Sequence, residues 1–149
     1  MFSIRVDAAD VDWQIRLIKE FPDIADRHFK PAMQEAVGRL ATEIEPNIPR
    51  ATGETASKFK QRVSGKGMRL TGRVGWWHAT DPWTVNVVEF GAKAHDINSY
   101  VPGLGVYIGR HPGFPGRGFM KRADEVTRQR NVEHFEQARD RTVSDMTIK

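Results

Sequence analysis

The sequence predicts an α+β fold: a small antiparallel sheet with a long helix in the N-terminal half and a C-terminal helix packed on one face, plus a protruding β-excursion. Three observations predict it. Phe29, Met33, Val37, Leu40 and Ile44 recur at three- and four-residue spacings, the period of a helix with one buried stripe. From Met68 to Trp77 apolar and polar side chains alternate, the period of a half-buried strand. The stretch Val88–Phe119 then holds seven of the 13 glycines and three of the 8 prolines, interleaved with Phe90, Tyr100, Tyr107 and Phe114. A flexible linker is Gly/Ser-rich and poor in aromatics. This stretch therefore packs onto something, its own domain or a neighbouring subunit.

Taken in order, Phe2–Val6 alternates and reads as a short strand. Asp10 offers an N-cap to a helix whose Trp13, Leu17, Ile18 and Phe21 form one apolar stripe, and Pro22 is expected to bend or restart it. The main helix resumes over Phe29–Ile44, with Pro31 in a first turn or kink and Ala32, Ala36 and Ala41 allowing close approach, and it ends by Pro46. Thr52 is placed to cap a short helix running through Ala56 to Phe59. Two basic strands follow, turned at Gly65-Lys66-Gly67; Met68, Leu70, Val74 and Trp76 share one face of the second, and Arg69, Thr71, Arg73 and Trp77 the other. Gly72 and Gly75 point to a bulge or a close backbone approach.

Asp81-Pro82 is a strong helix start and Gly91 a left-handed stop, so Trp83–Phe90 is expected as a helix, although its valines also allow a strand. Residues 91–118 form an excursion hinged near Gly91 and near Gly113–Gly118, its turn at Pro102-Gly103-Leu104-Gly105. From Phe119 a closing helix is expected to put Ala123, Val126, Val132 and Phe135 on its inner side, with residues 143–149 frayed.

The 149 residues make one domain, long enough to bury about 70% of its unfolded surface without staples. The absence of cysteine removes disulfides, thiolate metal sites and cysteine nucleophiles, and suits a reducing cytoplasm or a particle assembled there. Neither a long apolar run nor the zones of a signal peptide occur, so a membrane partner is not expected. Lys and Arg exceed Asp and Glu by 23 to 19, but the excess is concentrated. No acid lies between Glu54 and Asp81, where Lys58, Lys60, Arg62, Lys66, Arg69 and Arg73 fall. Such a run meets nucleic acid, an acidic protein face, or simply solvent with acids nearby in space.

Catalytic signatures are mostly missing. Gly103-Leu104-Gly105-Val106-Tyr107-Ile108-Gly109 has its last glycine one place too late for a dinucleotide loop, and neither a phosphate-binding GxxxxGK nor a His-Glu-x-x-His helix occurs. Glu89, His95, Asp96 and His111 bracket one excursion and can converge as a small metal-dependent or histidine-based nuclease centre; their separations match no ligand spacing, and structural histidines are the plainer reading. No metal or cofactor is expected. Trp76 and Trp77 would point to opposite faces of a strand, leaving one as an interface anchor or a stacking platform for bases unless it is buried.

The order of features is a long amphipathic helix, Pro49-x-x-Thr52-Gly53, basic strands, Val88-Glu89-Phe90-Gly91, His95, His111-Pro112-Gly113, then Gly118-Phe119-Met120. It resembles the tail-component family of lambda-like tailed phages and prophages, whose members sit in the head–tail joining region as neck or tail-completion proteins; the minor tail protein Z group looks similar. The resemblance spans Pro22 to Phe135, and this chain has Ala92 where many members carry threonine. It implies a non-enzymatic structural protein forming a ring, possibly six-fold, in the virion after assembly in the bacterial cytoplasm. The implied partners are other copies of the chain, the head connector, tail-tube or tail-terminator proteins, and passing DNA. With the resemblance, Trp77, Trp83, Glu89, Phe90, Gly91, Tyr100, Tyr107 and Phe114 become candidate interface residues. Thr52, Gly53, His95, His111, Pro112, Gly113 and Phe119 become structural pins, and the basic run from Lys58 to Arg73 a surface that faces nucleic acid. The alternative function is a nucleic-acid-binding module built on that run.

Overall fold

The computed structural model describes residues 8–49, 53–77, 83–96, 100–101, 106–107 and 109–147. Helix α1 (Ala8–Ile44) ends in a 3-10 turn, Glu45–Asn47, and the short α2 (Glu54–Ser57) leads into strands β1 (Lys60–Ser64) and β2 (Thr71–Gly75). Helix α3 (Trp83–Phe90) follows. Six two-residue strands come next: β3 (Gly91–Ala92), β4 (His95–Asp96), β5 (Tyr100–Val101), β6 (Val106–Tyr107), β7 (Arg110–His111) and β8 (Phe114–Pro115). Helix α4 (Phe119–Thr147) closes the chain. This is the expected α+β class, mostly helical, with antiparallel pairing throughout. The described strands make four two-stranded ladders: β1–β2 is the small antiparallel sheet, and β3–β8, β4–β7 and β5–β6 lie within the expected excursion.

The first helix does not restart at Pro22. Both Pro22 and Pro31 lie inside α1. Each removes a backbone donor, which leaves the carbonyls of Ile18 and Arg27 unmatched within the helix. All four residues are exposed, so water reaches those carbonyls and the helix continues. Tertiary contact holds the middle in place: Lys66 Nζ meets Asp23 at 2.7 Å, and the Gly67 amide donates to Asp26 Oδ1 at 3.0 Å.

Helices α1 and α4 run antiparallel. His28 Nε2 meets Asp145 at 2.9 Å near one end, His134 Nδ1 meets Glu35 at 2.9 Å in the middle, and Ile44, Phe119 and Ala123 share the core at the other. Small side chains line the contact: Ala25, Ala32, Ala36 and Ala41 on α1, Ala123 and Ala138 on α4, all buried. Thr127 and Thr142 are buried too, their hydroxyls donating to the carbonyls of Ala123 and Ala138 one turn back. The inner side of α4 therefore carries the buried Phe119, Ala123, Thr127, Ala138 and Thr142, with Phe135, as expected, stacked on Phe29 at 6.5 Å between ring centroids. Val126 and Val132, placed inside by the sequence reading, are exposed. Only about two apolar residues per turn are needed where a helix packs on alanines, so the valines were poor guides to its orientation. Helix α4 also continues to Thr147, beyond the expected fraying at residue 143. Because α4 runs out near His28, the first part of α1 extends past it, carrying exposed Trp13, Ile15 and Ile18. Among the described residues no helix is long and apolar enough to cross a membrane.

The β1–β2 hairpin lies across α1. Its register is continuous from Lys60↔Gly75 to Ser64↔Thr71, with no bulge. A Cβ at Gly72 would lie 2.6 Å from Met33 Sδ and 2.6 Å from Val37 Cγ2, so the glycine is where strand and helix backbones approach. Met68 belongs to a 3-10 turn, Gly67–Arg69, rather than to the strand. Thr52 lies outside the described residues, and the N-cap position of α2 is Gly53 at φ 74° with no side-chain cap. The predicted strand Phe2–Val6 and the Asp81-Pro82 start also fall outside them.

Candidate functional site

The Gly- and Pro-rich stretch is one folded-back ribbon. Gly91 pairs with Pro115, Ala92 with Phe114, His95 with His111 and Asp96 with Arg110, all in the same antiparallel register. The tip pairs, Tyr100↔Tyr107 and Val101↔Val106, are displaced from it by one residue. At about 3.3 Å per residue the ribbon runs roughly 17 Å from Gly91 to Asp96 before the tip ladder. His95, Asp96 and Arg110 are exposed, so both strands stand in solvent here. The side chains of Trp83, Tyr100 and Tyr107 lie outside the described residues.

The ribbon's base is built tightly at its glycines. Gly91 has φ 79° and Gly113 φ 80°, backbone that other residues adopt at a cost. A Cβ at Gly91 would sit 2.4 Å from the Phe114 carbonyl oxygen, and one at Gly113 would sit 2.5 Å from that of Ala92. Backbone against backbone cannot give way.

Glu89 anchors this base to α4. It is 6% exposed, and its two carboxylate oxygens accept from the Met120 amide at 3.0 Å and the Lys121 amide at 3.1 Å. Helix α4 begins after Gly118, which has no side chain to cap it, and Glu89 supplies that cap from another helix. In return the Arg117 amide donates to the Val88 carbonyl at 2.8 Å and the Gly118 amide to the Glu89 carbonyl at 3.0 Å. The end of α3 and the start of α4 thus satisfy each other's orphan groups. From sequence Glu89 is a candidate interface or catalytic residue, since a carboxylate before Phe-Gly gives no sign of a partner about thirty residues on.

The four-residue cluster weighed as a nuclease or metal centre does not form. Glu89 is committed to α4, while Asp96 lies opposite Arg110. His95 and His111 do meet, their rings stacked with centroids 5.2 Å apart. His111 Nδ1 accepts from the Gly113 amide at 2.9 Å, so the neutral ring carries its proton on Nε2. His95 Nδ1 lies 2.9 Å from the Lys93 carbonyl and therefore donates. The stacked rings then offer one free imidazole lone pair between them. Among the described residues no group of three or more His, Asp or Glu can hold a metal ion.

Of the other aromatics, Trp76 is spent on the core. Its indole N–H donates to the Thr55 carbonyl at 2.7 Å and its ring packs on Phe59, centroids 5.1 Å apart. Trp77 is half-buried just beyond β2, where strand alternation no longer applies. Phe119 is 2% exposed at the centre of the core. Phe90 is 78% exposed and Phe114, which touches His111 edge-on, is 41% exposed. Both sit at the root of the ribbon.

The basic run resolves into two sets. Lys58 pairs with Glu54, and Lys66 with Asp23. Lys66's hydrogen bond and charge hold the Asp23 carboxyl below the usual carboxylate range, and the same contacts hold the Lys66 ammonium above its own. Lys60, Arg62, Arg69 and Arg73 are exposed and have no acidic partner among the described residues. Arg62 and Arg73 lie directly opposite each other across the hairpin, and Lys60 shares their face. Like charges so placed cost about 0.2–1 kcal/mol relative to neutral residues. No protein-family model, curated protein or solved structure matches the chain.

Proposed function

We propose that this protein is a structural subunit of the head–tail joining region of a tailed phage or prophage, acting by assembly into a ring and not by catalysis. The observation that carries the reading is the ribbon, Gly91–Pro115, whose described strands pair only with each other. An isolated two-stranded ribbon is marginal in water, and its outer edges hold rows of unpaired backbone groups. A neighbouring copy that adds a strand or packs on it supplies what is missing. Phe90 and Phe114 give that contact an apolar anchor. Ribbon and receiving surface are different parts of the chain, so the contact is heterologous and closes a ring when the rotation allows. The ordered motifs described above give the ring its setting between head connector and tail tube or terminator. Exposed Trp13, Ile15 and Ile18 on α1 offer a further apolar surface to such partners.

The test is sedimentation and light scattering across a concentration series, with electron microscopy of the protein mixed with its tail partners. Rings are expected. Phe90→Ser with Phe114→Ser should abolish them while leaving the melting temperature unchanged, because both side chains are exposed. Deleting residues 100–107 should do the same. A chain that stays monomeric with its partners, or rings that survive both variants, would end the reading.

A further inference from the structure

We infer that the outer face of the β1–β2 hairpin is a binding site for the phosphate backbone of duplex nucleic acid. This inference does not depend on the ribbon or on ring formation. The face presents Lys60, Arg62 and Arg73 with Thr71 between them and the turn, and Arg69 beside it. The opposite face is the one Gly72 presses against α1, so the cations point away from the body.

Three features choose this ligand. The cations have no acidic partner among the described residues, whereas their neighbours Lys58 and Lys66 do. An arrangement that sets Arg62 against Arg73 is relieved when an anion lies across both, and a guanidinium fork matches phosphate oxygens. Second, the face has no apolar anchor: its exposed residues are Lys60, Arg62, Thr71 and Arg73. A protein partner needs a buried apolar or aromatic centre, and lysine is depleted at such centres. A polyanion needs none, because released counterions drive its binding. Third, single strands are held by aromatics on which bases stack; Trp76 is turned into the core, and Trp77 is half-buried beyond the end of β2. A duplex, read by its backbone without sequence preference, is what remains.

Successive outward residues on a strand stand about 7 Å apart. Lys60, Arg62 and Arg73 therefore form a fixed triangle of charge on the scale of neighbouring phosphates. With three phosphates neutralised, the logarithm of the binding constant should fall against the logarithm of salt with a slope of about −2.7. Affinity should drop about 40-fold between about 50 and about 200 mM salt.

Fluorescence anisotropy of a labelled mixed-sequence DNA duplex with the full chain measures this directly. Arg62→Gln should reduce the slope by about 0.9, and Arg62→Gln with Arg73→Gln by about 1.8. Lys66→Gln, which alters a cation already paired with Asp23, should change the slope by less than half of one such step. The melting temperature of the arginine variants should stay the same or rise, since they remove a repulsion. Four results would each overturn the site: no binding at about 50 mM salt; a slope that Arg62→Gln with Arg73→Gln leaves intact; a Lys66→Gln effect as large as that of Arg62→Gln; or a melting temperature that falls with the loss of binding. Tighter binding of polyglutamate than of DNA would reassign the face to an acidic protein.

Discussion

Replacing Glu89 tests the assignment that most changes how this chain is understood. In Glu89→Ala the Met120 and Lys121 amides lose their side-chain acceptor, and a small void opens in a place now 6% exposed. Hydrogen bonds to a charged group contribute about 1.5–3 kcal/mol each, but the two share one carboxylate and are not additive. A carboxylate at a helix N-terminus adds about 0.3–2 kcal/mol through the macrodipole. Met120 is half-buried and Lys121 exposed, so water recovers part of the loss. The expected net cost is about 3 kcal/mol, roughly a hundredfold in the unfolding equilibrium. Glu89→Gln keeps the shape and one acceptor but loses the charge and sets an NH2 against an amide, so about 2 kcal/mol is expected. Urea unfolding followed by far-UV circular dichroism gives both values, and the denaturant slope should not change. Amide exchange should show lost protection at Met120 and Lys121 in particular. If Glu89→Gln is as stable as the parent, the carboxylate is not a cap. If both variants fold normally but fail to assemble, Glu89 belongs to an interface and the geometry has been misread.

Other substitutions check the packing. Gly72→Ala should cost about 1–3 kcal/mol, since the flexible Met33 can move but the branched Val37 cannot; a neutral result in a melt would refute the close approach. Gly113→Ala should open the ribbon's base, removing cross-strand contacts between His95 and His111 in NMR spectra while the body stays folded. Trp76→Phe should lose about 1–2 kcal/mol with its bond to the Thr55 carbonyl, measured by chemical unfolding. Thr142→Val should be within about 0.5 kcal/mol of neutral, because the carbonyl of Ala138 keeps its helical partner when the hydroxyl is removed.

Local rules made much of this chain legible. The apolar spacing from Phe29 to Ile44, the glycine stop at Gly91 after Trp83–Phe90, and the aromatic start at Phe119 all mark real elements, since each depends on residues a few positions apart. The excursion's antiparallel return is seen in the pairs Tyr100↔Tyr107 and Val101↔Val106, while its expected turn at residues 102–105 lies outside the described residues. What failed depended on which side of an element meets which neighbour. Pro22 sits in a continuous helix at an exposed turn, as does Ile18, whose carbonyl it leaves without a helical donor, and no local pattern records that exposure. The valines of α4 pointed the wrong way, whereas Phe135 was read correctly and stacks on Phe29; buried alanines and threonines make up most of the rest of the contact with α1.

The candidate sites divide in the same manner. By itself the sequence determined that the chain carries an acid-free basic run and an aromatic-bearing excursion, because composition and spacing are properties of the chain alone. Tertiary structure decided which charges stay unpaired: Asp23, far from Lys66 in sequence, takes that lysine out of the run, while register sets Arg62 against Arg73. It also made Glu89, a candidate for an interface or a catalytic cluster by sequence, the cap of a distant helix. Partners separated by tens of residues are matched only when the chain folds, since a hydrogen bond or ion pair forms within about 3–4 Å whatever the distance along the sequence.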